Sequence, residues 1–216
     1  AQGWERPGWF APEGVDPEDV YSFKRQNWFE HSAAEHRALR GAGGMFDQTS
    51  FAQFELQGQD AEAVLNRVSA NDVAVEPGRI VYTQWLNERG GIEADLTVTR
   101  LNSDRYMIVT GVGTQVRDFQ WLMRQIPDGA DAKLTDITED LAVLGVMGPA
   151  SRALLADVSD ADFSNGGFPF QTSKEIDLAG AQVRASRITY VGELGWELYI
   201  PLDGAVAVFE AILDAG

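Results

Sequence analysis

An internal repeat is the feature of this sequence that most restricts its fold. FELQGQDAEAVLNRV (residues 54–68) can be laid over LGVMGPASRALLADV (residues 144–158) with four identities, one of which aligns Gly58 with Gly148. Each segment combines an alternating strand, a glycine turn and an amphipathic helix, and each is followed by further strands and one more helix. The pattern predicts a duplicated α+β unit. Because no low-complexity linker separates the halves, we expect them to share a sheet or a tight interface.

Local patterns predict the secondary structure around this repeat. Strands are expected at residues 51–57, 80–86, 92–98 and 105–111, and helices at residues 60–68, 114–126 and 204–215. Asn87-Glu-Arg-Gly-Gly91 has the glycines of a hairpin connection between the second and third of these strands. Residues 1–30 are rich in Pro, Gly and aromatic residues without a helical or strand period, which predicts an extended arm.

Two helices carry more specific expectations. Ser32-Ala-Ala-Glu35 has the form of a capping box, so a helix is expected to begin at Ser32 and to end at the glycines of residues 41–44. The helix at residues 114–126 is expected to bury one apolar face. That face consists of Val116, Phe119, Leu122, Met123 and Ile126.

Charge and composition exclude several classes of function. The 216 residues carry a net charge of −16, and the pI is near 4.4. Such a field repels phosphate backbones and anionic headgroups, so binding to nucleic acid or to a membrane surface is not expected. The chain has no Cys and only two His residues, so thiolate chemistry and a His-rich metal site are excluded. No apolar run reaches the roughly 20 residues that span a bilayer, and we expect a cytoplasmic protein.

Two carboxylates in the stretch NERGGIEADLTV (residues 87–98) form the first candidate site. Glu93 and Asp95 lie two residues apart, so a strand places both on one face. The opposite face is expected to hold Ile92, Ala94, Leu96 and Val98. An ordinary solvated sheet face and an acidic site aimed at a ligand both fit this alternation, and the period does not distinguish Glu93 from Asp95.

The stretch RITYVGELGWELYI (residues 187–200) forms the second candidate site. Gly192 and Gly195 are expected to bracket a tight turn between two strands, and Glu197 and Tyr199 share one face of the second strand. The other face is expected to be buried and holds Trp196, Leu198 and Ile200. A simple β-hairpin with a solvated Glu197 and a ligand site both fit this pattern.

Both stretches resemble the paired signatures of a known family. Asn87-Glu-x-Gly-Gly-Ile-x-x-Asp95-Leu and Tyr190-x-Gly-Glu193-x-Gly195-x-Glu197-Leu are similar to signatures of the tetrahydrofolate-binding aminomethyltransferases, the glycine-cleavage T-protein family. GMFDQTSF and LGVMGPASR are similar to two further family segments in the same order. The arm sequences GWERPGWF and RQNWFEHSAAEHRALR are closer to the branch of sarcosine and dimethylglycine dehydrogenases. The resemblance runs from about residue 20 to the end.

This resemblance implies roles for individual residues. Asp95 matches the family's essential aspartate beside the reactive nitrogens of the folate, where a fixed carboxylate would stabilise the cationic character of one-carbon transfer. Glu197 matches the glutamate that binds the pterin ring, since its two oxygens can accept a pair of N–H donors. Further ligand-facing positions fall on Tyr82, Val109, Tyr190 and Gly111. T-proteins often carry Asn at the last of these positions. No metal ligand is implied.

The resemblance also implies the fold and the domain order. We expect an α+β fold of two similar strand–helix–strand units with mixed or antiparallel sheets, preceded by an arm and a capping helix over residues 1–46. Residues 47–216 would form the folate-binding aminomethyltransferase-like domain. The family further implies that this domain is incomplete at its C-terminus and that a C-terminal β-barrel domain is absent from this chain.

The function implied is tetrahydrofolate-dependent one-carbon transfer. A formaldehyde or iminium equivalent from an N-methyl amine of the sarcosine or dimethylglycine type would give 5,10-methylenetetrahydrofolate. The expected cofactor is tetrahydrofolate, with FAD confined to a separate amine dehydrogenase domain that is fused to this one or paired with it. Two alternatives stay open: a T-protein-type aminomethyltransferase of glycine cleavage, and a folate-fold interaction module without catalysis.

Overall fold

Residues 7–216 fold into two five-stranded antiparallel sheets, each with two helices packed on one of its faces. The computed structural model describes residues 7–216. The strands are β1 (Gly44–Asp47), β2 (Ala52–Gln57), β3 (Ile80–Leu86), β4 (Ile92–Arg100), β5 (Arg105–Thr110), β6 (Lys133–Asp136), β7 (Leu141–Met147), β8 (Ser173–Leu178), β9 (Ala181–Ser186) and β10 (Gly195–Pro201). The helices are α1 (Phe29–Gly41), α2 (Ala61–Val68), α3 (Gln115–Gln125), α4 (Ser151–Val158) and α5 (Ala205–Ala215), with 3-10 turns at Val112–Thr114 and Thr138–Asp140.

Both sheets have the same strand arrangement, which confirms the internal repeat. The strand order is β6-β2-β5-β4-β3 in the first sheet and β1-β7-β10-β9-β8 in the second. Along the chain the two repeats run β2-α2-β3-β4-β5-α3 and β7-α4-β8-β9-β10-α5. The fifth position, beside the first strand of each repeat, is filled by β6 in one sheet and by β1 in the other. The α+β fold is therefore as predicted, and each strand pair within residues 7–216 is antiparallel.

A glycine connects strand to helix at the same point of each repeat. Gly58 and Gly148 have φ angles of +140° and +125°, which side chains with a Cβ rarely adopt. A Cβ at Gly58 would lie 2.0 Å from the carbonyl oxygen of Asp131, and one at Gly148 would lie 2.4 Å from the Cα of Gly43. The glycines that align in the sequence repeat thus mark a turn where a side chain has no room.

The two sheets face each other, and the helices lie on the outer faces. One outer core joins the first sheet to α2 and α3, and the other joins the second sheet to α4 and α5. Trp85 and Trp196 are fully buried, one in each outer core. Between the sheets lies a smaller cluster of Met107, Val143 and Tyr199. The order of layers is helix, sheet, sheet, helix, and the inner sheet faces are where polar residues of both repeats can meet.

The first helix begins one turn earlier than the sequence predicts. It starts at Phe29, and the backbone N–H of Ser32 already donates to the carbonyl of Trp28. Ser32 is therefore inside the helix, and the capping-box prediction is wrong because no side-chain cap is made at this end. Residues 7–28 contain neither helix nor strand, and residues 1–6 of the expected arm lie outside the described residues.

The buried face of α3 also differs from the predicted one. Val116 and Met123 are 67% and 44% exposed, whereas Leu122 is buried as expected. Asp118 is buried instead, and its carboxylate accepts hydrogen bonds of 2.7 Å from two threonine hydroxyls. A period analysis counts Asp as a surface residue, so it misplaces the face when a buried carboxylate is matched by donors.

The connections beside the two candidate strands are partly as expected. Residues 87–91 form the predicted hairpin turn, with Gly90 at a φ of +76°. Ile92 is 68% exposed at the start of β4, beside a register shift, whereas Ala94, Leu96 and Val98 on the same face are buried. The tight turn before β10 is wrong, because β9 ends at Ser186 and residues 187–194 form a longer loop.

Candidate functional site

A cavity of about 460 Å³ opens between the inner faces of the two sheets. Its size is within the range of small-molecule sites in proteins. The six residues that the resemblance singles out all line it: Tyr82, Asp95, Val109, Gly111, Tyr190 and Glu197. The first four belong to the first repeat and the last two to the second. The structure therefore brings together side chains that are far apart in the sequence.

Strand register explains how the first sheet contributes to this cavity. Tyr82 on β3 pairs with Thr97 on β4, and Thr97 pairs with Val109 on β5. These three residues form one row across the sheet, and all three side chains line the cavity. Because side chains alternate along a strand, their neighbours in sequence point to the outer core. Val98 and Ile108, for example, are buried there.

Asp95 is held by two donors on the neighbouring strand. The Tyr82 hydroxyl donates to Oδ2 of Asp95 at 2.9 Å, and the Gln84 amide donates to Oδ1 at 3.0 Å. Gln84 is the direct cross-strand partner of Asp95, and Tyr82 lies two residues before Gln84 on β3. The hydrogen bond to Asp95 is the main cause that raises the pKa of Tyr82, so this phenol stays protonated as a donor. Both oxygens of Asp95 are thereby oriented at the cavity wall.

Glu93 has a different environment from Asp95, although the strand period placed them together. Its carboxylate accepts a hydrogen bond of 2.8 Å from the Asn87 amide. Its backbone carbonyl accepts one from the Arg117 guanidinium. Glu93 does not line the cavity. The hairpin turn thus hydrogen-bonds the Glu93 carboxylate, and α3 hydrogen-bonds its backbone carbonyl. The structure therefore distinguishes two acids that the sequence pattern leaves equivalent.

Glu197 reaches the same cavity from the second sheet. It is partly buried, and desolvation raises the pKa of its carboxyl group above the usual value of 4.5. A hydrogen bond of 2.7 Å from the Tyr199 hydroxyl to Oε2 opposes this shift. Tyr199 is almost fully buried. Among the described residues this hydroxyl is the only group that hydrogen-bonds the Glu197 carboxylate, which therefore keeps acceptor capacity for a ligand. A simply solvated Glu197 is therefore the wrong alternative.

The rim of the cavity is formed by aromatic residues and by a tied loop. Tyr82 and Tyr190 are 51% and 79% exposed, so their rings border the opening. Gln171, which also lines the wall, has a φ of +58°, a rare backbone angle for a residue other than glycine. Its N–H donates to the carbonyl of Arg187 and its carbonyl accepts from the N–H of Ile80. These bonds fasten a loop of the second repeat to the first sheet.

Comparison with known proteins decides the family. The family of GCVT N-terminal domains matches residues 1–216. The chain belongs to this family. This GCVT domain is 41% identical over 214 residues to the "4-methylaminobutanoate oxidase (formaldehyde-forming)" of Paenarthrobacter nicotinovorans, which covers 99% of the chain and 26% of that protein. It is 38% identical over 252 residues to the mitochondrial sarcosine dehydrogenase of Homo sapiens, covering 99% of the chain and 28% of that protein.

A solved structure supports the same assignment. The glycine cleavage system aminomethyltransferase T of Bartonella henselae aligns with a TM-score of 0.73 and 29% identity, over 83% of this chain and 48% of that one. The GCVT domain thus spans about a quarter of the two curated relatives and about half of this structure. The resemblance found in the sequence is confirmed: the domain is of the aminomethyltransferase type and is related to sarcosine dehydrogenase.

Some residues at the site of the GCVT domain were not assigned a role from the sequence. Gln84 shares a strand face with Tyr82, so the period of two could have suggested it as a partner of Asp95. The sequence pattern placed Tyr199 on the face of Glu197 but did not indicate that its hydroxyl donates to that carboxylate. Gln48 lies between β1 and β2 and gave no signal, because a lone glutamine before a strand is common. None of the helices within residues 7–216 is long and apolar enough to cross a membrane.

Proposed function

We propose that this GCVT domain binds tetrahydrofolate in the cavity between its sheets and transfers a one-carbon unit to it. The unit would come, at the oxidation level of formaldehyde, from an N-methyl amine of the sarcosine or dimethylglycine type, and the product would be 5,10-methylenetetrahydrofolate. One observation carries this proposal. Asp95 and Glu197, the two acids to which the family resemblance gives roles, reach a single cavity from opposite sheets.

The residues on the Glu197 side fit a pterin ring. A pterin presents an amino group and a ring N–H side by side, and a carboxylate accepts such a pair with its two oxygens. Glu197 is partly desolvated, which strengthens a hydrogen bond to it. Tyr199 fixes one oxygen of this carboxylate by its hydroxyl. Val109 and Val143 add apolar wall area for a flat ring.

Asp95 would act on the transferred unit. When bound, tetrahydrofolate supplies the nitrogens that accept the one-carbon unit. Positive charge develops during such a transfer, and a carboxylate that is already oriented stabilises it without reorganisation. The two hydrogen bonds from Tyr82 and Gln84 provide this orientation. Asp95 lies toward the exposed side of the cavity, where it can also exchange a proton with water.

We further propose that the amine is oxidised in a separate FAD-dependent dehydrogenase domain, fused to this GCVT domain or paired with it. The names of the relatives support this, since one is a sarcosine dehydrogenase and another is a formaldehyde-forming oxidase. Each is about four times as long as the segment that the chain covers. A cytoplasmic location stays a prediction from the sequence.

The test of the proposal compares Asp95 with Glu93. In a preparation that combines this domain with its amine-oxidising partner, Asp95→Asn should reduce methylene-tetrahydrofolate formation by about a hundredfold or more, the scale of one preorganised electrostatic group. Glu93→Gln should change the rate by less than about threefold, because Glu93 lies outside the cavity. Product per turnover and free formaldehyde are measured together, and loss of Asp95 should divert carbon to formaldehyde.

The opposite ranking would refute the assignment of Asp95. An unchanged rate in both variants, with tetrahydrofolate still bound, would instead favour a folate-fold module without catalysis. Activity that appears only with an aminomethyl-loaded lipoyl carrier protein would favour the glycine-cleavage alternative. Thermal unfolding of each variant serves as the control for folding, since Asp95→Asn is nearly isosteric and should leave the midpoint unchanged within a few degrees.

A further inference from the structure

Gln48 is a wall residue of the cavity with a buried polar atom that has no partner. It is 8% exposed, and no group within residues 7–216 hydrogen-bonds its Oε1. Among the described residues that line this cavity, none besides Gln48 combines the two properties. A buried amide oxygen without a donor is destabilising, so the position is poorly explained by packing alone. An apolar side chain of similar length would fill the same space without that cost.

The surroundings of Gln48 connect it to Glu197. A Cβ at Gly145 would lie 2.7 Å from Oε1 of Gln48, so the amide occupies space that any other residue at position 145 would fill. Gly145 on β7 is the direct cross-strand partner of Glu197 on β10. Gln48 and Glu197 are therefore neighbours across a glycine, and both line the cavity. With its oxygen enclosed in the wall, the amide has its N–H2 end available to the cavity.

We propose, on the basis of the proposed function, that Gln48 is a specificity-determining residue that recognises the ring carbonyl beside the N–H donors bound by Glu197. A 2-amino-4-oxo ring presents an acceptor, a donor and a second donor along one edge. The Gln48 amide supplies one donor and the Glu197 carboxylate supplies two acceptors, which matches that order. A 4-amino ring places a donor opposite the Gln48 donor, so the pair discriminates between oxo and amino at this position.

The proposal predicts effects of opposite sign on ligand binding and on stability. Gln48→Met keeps the length of the side chain and removes the amide. The variant should bind tetrahydrofolate about tenfold more weakly, since one hydrogen bond is lost. Its melting temperature should be equal or higher, because the unpaired buried oxygen is removed as well. A residue with a purely structural role would lose stability and affinity together.

The experiment measures dissociation constants for tetrahydrofolate and for its 4-amino analogue by calorimetry, with thermal unfolding in parallel. Glu197 is present in every protein compared and contributes to the preference for the 4-oxo ring in each of them. The change in the ratio of the two dissociation constants on substitution therefore measures the contribution of Gln48 alone. We expect the preference for the 4-oxo ring to fall about tenfold in Gln48→Met, and Gln48→Leu to give the same result. Gln53→Met is the matched control: Gln53 is also buried with an unpaired Oε1, but it does not line the cavity, so the ratio should not change.

The outcomes separate this inference from the function on which it rests. An unchanged ratio in a Gln48→Met variant that still binds tetrahydrofolate would overturn the role of Gln48 and leave the proposed function standing. A lower melting temperature in both Gln48 variants would also overturn it, since the amide would then be structural. Failure of the unsubstituted protein to bind tetrahydrofolate would overturn the proposed function, and this inference with it.

Discussion

Replacing Glu197 with Gln separates the contribution of this carboxylate to ligand affinity from its destabilising effect on the folded protein. Because burial raises the pKa of Glu197, the folded state binds more protons than the unfolded state as the pH rises above 4.5. The contribution of Glu197 to stability is therefore most favourable below 4.5 and is lost as the pH rises through the folded pKa. Glu197→Gln should raise the melting temperature at neutral pH and leave it unchanged near about pH 4.

The effect on the ligand has the opposite sign. Gln offers one acceptor oxygen in place of two, and the Tyr199 hydroxyl already competes for an acceptor at 2.7 Å. At least one of the two N–H donors of the ring would then face the N–H2 group of Gln instead of an acceptor oxygen. An unmatched donor in a desolvated site costs about 1–3 kcal/mol. At about 2 kcal/mol, the dissociation constant for tetrahydrofolate should rise roughly thirtyfold.

The assay is calorimetric titration with tetrahydrofolate, together with thermal unfolding at neutral and acidic pH. Glu193→Gln is the control, since Glu193 lies in the loop before β10 and pairs with Arg40 outside the cavity. It should leave the affinity unchanged within about twofold and cost no more than about 1 kcal/mol of stability. Unchanged affinity in Glu197→Gln would refute the pterin-binding role. A lower melting temperature at neutral pH would refute the account of its burial.

Two further predictions address the pH dependence of binding and the repeat. Since the ionised form of Glu197 accepts the ligand's N–H groups, affinity for tetrahydrofolate should rise as the pH increases above the usual carboxyl pKa of 4.5 and should level off above the raised pKa, and a flat calorimetric profile would contradict this. Gly58→Ala should lower the free energy of unfolding, measured by denaturant titration, by about 3 kcal/mol or more, because the new Cβ would meet backbone at 2.0 Å. Gly90→Ala, with open space around the new Cβ, should lower it by only about 1 kcal/mol in the same titration.

The parts of the fold that follow from local chemistry were predictable from the sequence. The bounds of β3 match the predicted residues 80–86, because alternating apolar residues end at a glycine-containing turn. The repeat was predictable for the same reason, since Gly58 and Gly148 mark equivalent turns. The buried face of α3 was not, because it includes a carboxylate, and a search for apolar periodicity does not count hydroxyl donors near it. The two donors to Asp118 are Thr110 at the end of β5 and Thr114 directly before α3.

The candidate site depended on the family resemblance rather than on periodicity. Glu93 and Asp95 alternate identically along β4, and what distinguishes them is that Asn87 of the hairpin turn reaches Glu93 whereas Gln84 of β3 reaches Asp95. These contacts depend on the register of the hairpin, which the period of a single strand does not reveal. Gln48 illustrates the limit of reading a site from local sequence. It became a candidate only because its amide lies beside Gly145, a residue far away in the sequence.

The repeat places equivalent rows of residues on the two inner sheet faces. With Gly58 aligned to Gly148, the strand registers map the first row onto the second. Tyr82, Thr97 and Val109 correspond in this way to Glu175, Arg184 and Tyr199. The second row lines a different cavity of about 360 Å³ between the same two sheets. One backbone plan therefore yields two cavities, and the side chains decide what each can bind.

The pairing of the carboxylates distinguishes these two cavities. In the smaller one, Glu175 is in an ion pair with Arg184, and Glu55 is in an ion pair with Arg105. In the larger one, Asp95 and Glu197 contact neutral donors, and no ion pair within residues 7–216 involves either of them. A carboxylate that already has a guanidinium partner has little to offer a ligand, whereas one held by hydroxyl and amide groups keeps its charge for a cationic or N–H-rich ligand. This difference, rather than cavity size, favours the larger cavity as the candidate site.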